Sequence, residues 1–223
     1  MTFKRLVFCC LLLFLISCGK KEVMLPVIEA DGIGQTENHS SIWIFYEVSG
    51  QDTLAVLNKN NKLINTHWIF NIDRRLSMKE VIPLLQRLQE DRNKDSMHKK
   101  EGMVNYFSYA DSKNQRISLL EFPQTEFVPA DAVKDTSHIA SDSTCLVNLL
   151  LLGEEFRVGD RNYRIGDSDR IAETLKTCPD AKEARFRLAY GENLTYQDYL
   201  TAKAHLLAAS LPLDSMEIVH TSK

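Results

Sequence analysis

The chain has 223 residues, 44% hydrophobic and 26% charged, with a formal net charge of −3. That balance supports one folded domain or two small ones and excludes a chain disordered throughout. The mildly acidic charge is spread along the sequence and leaves no footprint for nucleic acid, and the 9 glycines never cluster into a phosphate cradle.

Lys4 and Arg5 form a basic start, and Leu6 to Ile16 is an unbroken apolar run of 11 residues. Such a run fits a secretory core of ~7–15 residues and falls short of the ~20 that a membrane span needs. Leu15-Ile16-Ser17-Cys18 closes the run. It resembles the lipobox of bacterial lipoproteins, with a branched apolar residue three before the cysteine and a small one directly before it. The resemblance implies cleavage between Ser17 and Cys18 and a palmitate-type lipid on the Cys18 thiol. Two acyl chains suffice for stable anchoring, at ~0.8 kcal/mol per buried methylene. Gly19, where an aspartate would signal inner-membrane retention, implies the outer membrane, facing the periplasm or the cell surface. Removing 1–17 takes away two bases and no acid, so 25 bases against 30 acids leave the mature chain at −5.

Residues 19–40 are polar apart from Val23 to Ile28 and read as a tether. Ile42 to Val48 is β-branched and aromatic, a strand pattern buried on both faces. Thr53 to Leu57 and Lys62 to Asn71 read as two further strands around the turn formers Asn58 to Asn61. Ser77-Met-Lys-Glu80 is a capping box, followed by Val81, Ile82, Leu84, Leu85 and Leu88 on one helical face. Pro83 falls inside that helix and predicts a kink or a delayed start. Residues 89–102 carry almost no apolar side chain and read as a frayed solvated end or a loop. Met103 to Ala110 and Gln115 to Phe122 form a predicted hairpin, and 123–143, with two prolines and scattered acids, reads as a linker.

Cys145 to Leu152 is a strong buried strand. Phe156-Arg-Val158 and Tyr163-Arg-Ile165 flank a hairpin turn. Residues 167–177 form a helix stopped by Pro179, Ala184 to Ala189 a strand, Thr195 to Leu211 a capped helix, and Met216 to Val219 a last strand. After processing, Cys145 and Cys178 are the cysteines left beside Cys18; a disulfide between them and two separate buried thiols both fit. Both halves share an order of long strand, hairpin, helix and strand. Phe70 to Glu80 aligns with Tyr163 to Glu173, which suggests a duplication whose first copy has lost its second helix. The expected fold is α+β, two small mixed sheet-and-helix modules. The organisation is a signal peptide over 1–17, a lipidated tether over 18–40, a first module over 41–122, a linker over 123–143 and a second module over 144–223.

The second half, 145–219, resembles the periplasmic domain of the ExbD/TolR family of biopolymer-transport proteins. Leu146 to Ile165 matches its strand and hairpin. Arg187-Leu-Ala-Tyr-Gly191 followed by Tyr196 matches its strand, aspartate and helix-starting tyrosine, and Leu25-Pro26 matches its Leu-Pro past the membrane helix. The family aspartate falls on Gly191 with Glu192 beside it, Ala110-Asp111 keeps an acid in the first half, and the family's membrane helix with its proton-handling carboxylate is absent from this sequence. The resemblance implies an accessory role in an energy-transducing envelope transport complex, without proton coupling.

Chemistry-bearing motifs are sparse. His39, His67, His98, His138, His205 and His220 show no zinc-binding spacing, and neither a Gly-x-Ser-x-Gly elbow nor a Ser-x-x-Lys occurs. Asp160, Asp167 and Asp169 lack the alternating oxygens of a calcium loop; Asp167-Ser-Asp169 reads as a helix N-terminus. Trp43 and Trp68 lie in strand patterns, and Tyr196 and Tyr199 on a helix's apolar face, where core packing is the default. The expectation is therefore a non-catalytic envelope protein with no cofactor, metal or nucleic acid. It is bound to the membrane through Cys18 and contacts a protein or peptidoglycan partner. The alternative is a membrane-anchored hydrolase or glycan-binding lipoprotein whose acids converge only in the fold.

Overall fold

The computed structural model describes residues 21–58, 62–94, 102–133, 144–178 and 183–221. The leader, Ser17 and Cys18 lie outside these, as do most of the 58–61 turn, 95–101 and residues 134–143 of the expected linker. The architecture is α+β, two six-stranded mixed sheets with three α-helices among the described residues.

Sheet one contains β1 (Val27–Ile28), β2 (His39–Ser49), β3 (Asp52–Leu57), β4 (His67–Ile72), β5 (Asn105–Asp111) and β6 (Arg116–Phe122). Across the sheet the order is β3-β2-β4-β5-β6, with β1 lying parallel to the end of β5 on its β4 side. Helix α1 (Met78–Asn93) makes the crossover from β4 to its parallel neighbour β5. Its apolar stripe, Val81, Leu85 and Leu88, is wholly buried with Ile42, Ile44, Phe70, Ile72 and Phe107 of the sheet. Pro83 does not delay the start: α1 begins at Met78 and runs through Pro83, which lies on its exposed side.

The solvated end expected after 88 is instead helical to Asn93, and two of its polar residues are buried. The Gln89 amide donates to Thr125 O at 2.9 Å and accepts from Thr125 N at 2.8 Å, imitating a strand neighbour. Arg92 stacks over the Trp68 ring and donates to the carbonyls of Ile64 and Thr66. Buried polar groups persist when their hydrogen bonds are met. Hydrophobic periodicity misses such residues.

Sheet two contains β7 (Glu126–Pro129), β8 (Thr144–Leu152), β9 (Glu155–Val158), β10 (Arg161–Arg164), β11 (Glu183–Gly191) and β12 (Met216–His220), in the order β10-β9-β8-β11-β12-β7. Short α2 (Ser168–Glu173) runs into a 3-10 turn (Thr174–Thr177), and α3 (Tyr196–Ala208) makes the β11-to-β12 crossover. β7 lies inside the segment read as a linker. The chain leaves β6 at the edge of sheet one and, three residues later, becomes the edge of sheet two.

The halves are related by a pseudo-two-fold axis, on a different alignment from the one the sequence suggests. Ser77 pairs with Thr195 as an antiparallel bridge. Met78 N donates to Leu194 O (2.8 Å) and Tyr196 N to Leu76 O (2.7 Å); Lys79 N donates to Glu192 O (2.7 Å) and Gln197 N to Arg74 O (3.3 Å). The first amides of a helix have no partner within it. Here each helix's first two amides are met by the loop ahead of the other helix. The counterpart of Ser77-Met-Lys-Glu80 is thus Thr195-Tyr-Gln-Asp198, not the stretch ending at Glu173. Helix α1 corresponds to α3, and what the first half lacks is the β10–α2 excursion. A single buried cluster runs through both halves, so they share one core.

The tether reading for 18–40 also changes. Pro26 and Ile28 are buried. Arg74 N donates to Met24 O, Ala110 N to Pro26 O and Ser112 N to Ile28 O. Gln197 of α3 both accepts from Val27 N and donates to Val27 O, each at 2.9 Å. From Met24 onward this segment belongs to the folded body, and it is clasped by both halves.

Candidate functional site

Among the sequence-selected residues, Cys145 at the start of β8 and Cys178 just past the 3-10 turn are joined by a disulfide, their Cα atoms 6.1 Å apart. Asp167 occupies the N-cap of α2, but its carboxylate accepts from Arg164 N (3.2 Å) and pairs with Arg170 (3.3 Å) rather than capping a helix amide. Among the described residues no three His, Cys, Asp or Glu groups are placed to hold a metal ion. Trp68 is buried and donates to Leu63 O at 2.8 Å, and Tyr196 and Tyr199 are wholly buried on α3.

The strongest polar centre was not singled out by the sequence. Lys203 on α3 and Glu217 on β12, each 4% exposed at the side chain, form an ion pair at 2.6 Å. Tyr190 OH donates to Glu217 Oε2 (2.8 Å) and Tyr199 OH to Oε1 (3.3 Å). Lys203 also reaches Tyr199 OH (3.1 Å) and Thr125 Oγ1 (3.5 Å), with the Phe122 ring 5.4 Å away. Burial first, and then the Glu217 charge, push both tyrosine hydroxyls well above their usual value, so they remain protonated donors. Three ammonium protons meet three oxygens, and both carboxylate oxygens are used. A second pair, Arg187 with Asp214 at 2.7 Å, stands nearby.

Beside this centre is a cleft of about 230 Å³ floored by Leu188, Leu207, Leu211 and Leu213. Its acids, Asp214 and Glu217, are both held by the partners just named. A wider groove of about 950 Å³ lies between the β9–β10 hairpin and α2, lined by Asp160 and Arg161 on the hairpin and by Arg170, Glu173 and Lys176 on the helical side. Two of those cations are already engaged, Arg170 with Asp167 and Lys176 with Glu173. The charges of these two hollows are largely spent on one another.

The sheet edges differ more sharply. β6 is partly covered, since Ile33 and Leu119 exchange two backbone hydrogen bonds. β7 is four residues long and ends in Pro129, and β10 is four residues carrying two arginines. These are the devices by which natural sheets guard an edge. β3 lacks the basic residues, the proline and the shortness of these edges. It is Asp52-Thr-Leu-Ala-Val-Leu57, six residues with no Lys, Arg or Pro, and no described strand pairs with its outer side. Asn58 N donates to Trp43 O, which fixes the alternation along the hairpin. Thr53, Ala55 and Leu57 therefore aim their N–H and C=O groups away from β2. Leu54 is 47% exposed beside them.

Comparison with known protein families, curated proteins and solved structures finds no match.

Proposed function

We propose that this chain is a lipid-anchored, non-catalytic cell-envelope protein that binds a partner protein by adding one of its strands to β3. The single observation carrying this reading is the unguarded edge. Three residues offer outward backbone pairs on an apolar strand, while the other sheet edges are covered, shortened or charged. Strand addition draws affinity from main-chain hydrogen bonds and specificity from alternate side chains. The lipobox at Cys18 supplies the address in the outer membrane.

The likeness to the ExbD/TolR periplasmic domain suits an accessory role in envelope transport, and one further observation supports it. The pairing of Ser77 with Thr195 makes Asp73 the first-half counterpart of Gly191. An acid thus stands at the end of β4, where that family carries one, bonded to Arg75 and to Met24 N. Asp111 lies instead at the end of β5.

The test uses proline. Ala55→Pro removes an N–H that faces away from β2, so the β2–β3 ladder survives while an incoming strand loses its central donor. A photo-crosslinking residue at Thr53 in intact cells should capture one protein, and Ala55→Pro should reduce that capture at least tenfold with thermal unfolding little changed. Capture that persists undiminished in the proline variant defeats the reading.

A further inference from the structure

We propose that the disulfide between Cys145 and Cys178 is a redox-sensitive clamp. Reduced by a dithiol, it releases α2 and the 3-10 turn, and with them one wall of the wide groove, while the rest of the fold stays closed. The proposal is independent of the β3 edge and of the lipid on Cys18.

The stretch from Ser168 to Cys178 is held to the body by few contacts. Of its side chains only Ile171 is wholly buried; Ala172, Leu175 and Cys178 are half-buried against the core, and the 3-10 turn buries none. Its polar groups bond close by: Arg170 with Asp167, Lys176 with Glu173, Thr174 Oγ1 with Ile171 O and Thr177 Oγ1 with Thr174 O. The Arg170 guanidinium adds one contact with the hairpin, 5.7 Å from the centre of the Tyr163 ring. Among the described residues no hydrogen bond or ion pair ties 168–178 to anything beyond 164–178. Segments with few buried contacts and few crossing hydrogen bonds are the ones that open locally. The disulfide is what remains.

Its two ends differ. Cys145 is 7% exposed, and its backbone lies opposite Ala184 in the β8–β11 ladder, a register of eight pairs. Cys178 is half-buried and follows the 3-10 turn. Cys145 is therefore the fixed post, and Cys178 the end that can leave. The fold does not require the piece it holds. The first half passes from β3 to β4 without a helix and still completes its parallel β2-β4-β5 arrangement. The clamp also stands beside the groove. Thr177, next to Cys178, lines it, and so does Val147, two residues from Cys145 and on the same face of β8.

The exchange is a two-electron step. A thiolate of the dithiol attacks Cys178 Sγ, the more accessible sulfur, and Cys145 leaves as a thiolate that takes up a proton. The second thiol of the reductant then displaces Cys178, which is protonated in turn. The protein gains two electrons and two protons, and the reductant ends as a disulfide.

The test uses the full chain, followed by amide hydrogen exchange with and without dithiothreitol, with the state of the bridge read by alkylation and mass spectrometry. Reduction should speed exchange over 171–177 by about tenfold or more, while the amides of Leu149 and Leu188 in the β8–β11 ladder change less than about twofold. Trypsin should then cut after Arg170 and Lys176 in the reduced chain and spare them in the oxidised one. Cys178→Ser, which has no bridge in any buffer, should match the reduced protein and be indifferent to dithiothreitol. Unchanged protection over 171–177 in both the reduced chain and the variant overturns the proposal, since packing alone then holds the wall. Equal acceleration along the ladder overturns it too, because the bridge is then a staple of the whole second half. So does a bridge that dithiothreitol leaves intact in the folded chain, its sulfurs being out of reach.

Discussion

Lys203 and Glu217 put two charges in a place where neither could stand alone. Removing charges from water is costly, and a buried pair roughly offsets that cost only when its remaining hydrogen bonds are met. Here Tyr190, Tyr199 and Thr125 meet them. Breaking the pair should therefore hurt more than removing it. Lys203→Met strands the Glu217 carboxylate and should lower unfolding free energy by about 3–5 kcal/mol. The double variant Lys203→Met, Glu217→Leu should recover most of that loss. Urea unfolding of the two variants checks it, and a double variant no more stable than the single one would mean that the tyrosine hydroxyls, not the ions, dominate. Neither residue was selected from the sequence, for a physical reason. Lys203 sits among alanines and leucines on a helix, Glu217 alternates with hydrophobic residues on a strand, and their 14-residue separation carries no signal of contact.

At the scale of elements, the segment 24–28 shows how a polar side chain can dock a strand. Its two-residue β1 has too few ladder bonds to hold itself, and short strands rely on added packing or pairing. Gln197 supplies a donor and an acceptor from a helix, as Gln89 does for Thr125. Gln197→Ala should accelerate amide exchange at Val27 by about tenfold or more, given ~1 kcal/mol per lost bond and a bond lost at each of its two main-chain groups. Ala110 N, which bonds Pro26 O, should respond less. Hydrogen exchange read residue by residue distinguishes this from general loosening, in which both amides would speed up alike. The sequence marks Leu25-Pro26 and Val27-Ile28 as a short apolar patch, but only the fold gives that patch a place between β5 and α3.

For the whole molecule, the halves read from the sequence as two modules joined by a linker. The structure instead runs one core through both, crosses the helix caps between them and takes β7 of sheet two from the supposed linker. The intact chain should unfold in one cooperative transition. A fragment over 144–223 should fail to fold alone, because it lacks β7 and leaves the first amides of α3 without Leu76 O and Arg74 O. Circular dichroism of that fragment, and calorimetry of the whole, test the point; a fragment with a sharp thermal transition would show the second half to be autonomous.

Local chemistry wrote much of this protein plainly. Apolar and β-branched runs marked β2, β8 and β12, capping residues set the starts of α1 and α3, and a greasy stretch ending at Cys18 carried the expected address, all from interactions between residues close in the chain. Contacts between distant residues were decided only by the tertiary structure. The register of Ser77 on Thr195, the ion pair of Lys203 with Glu217, the capture of β1 and the open side of β3 depend on which elements become neighbours. A buried polar residue looks like a surface one until its partner is brought to it, and a strand declares itself an edge only when the sheet around it is complete.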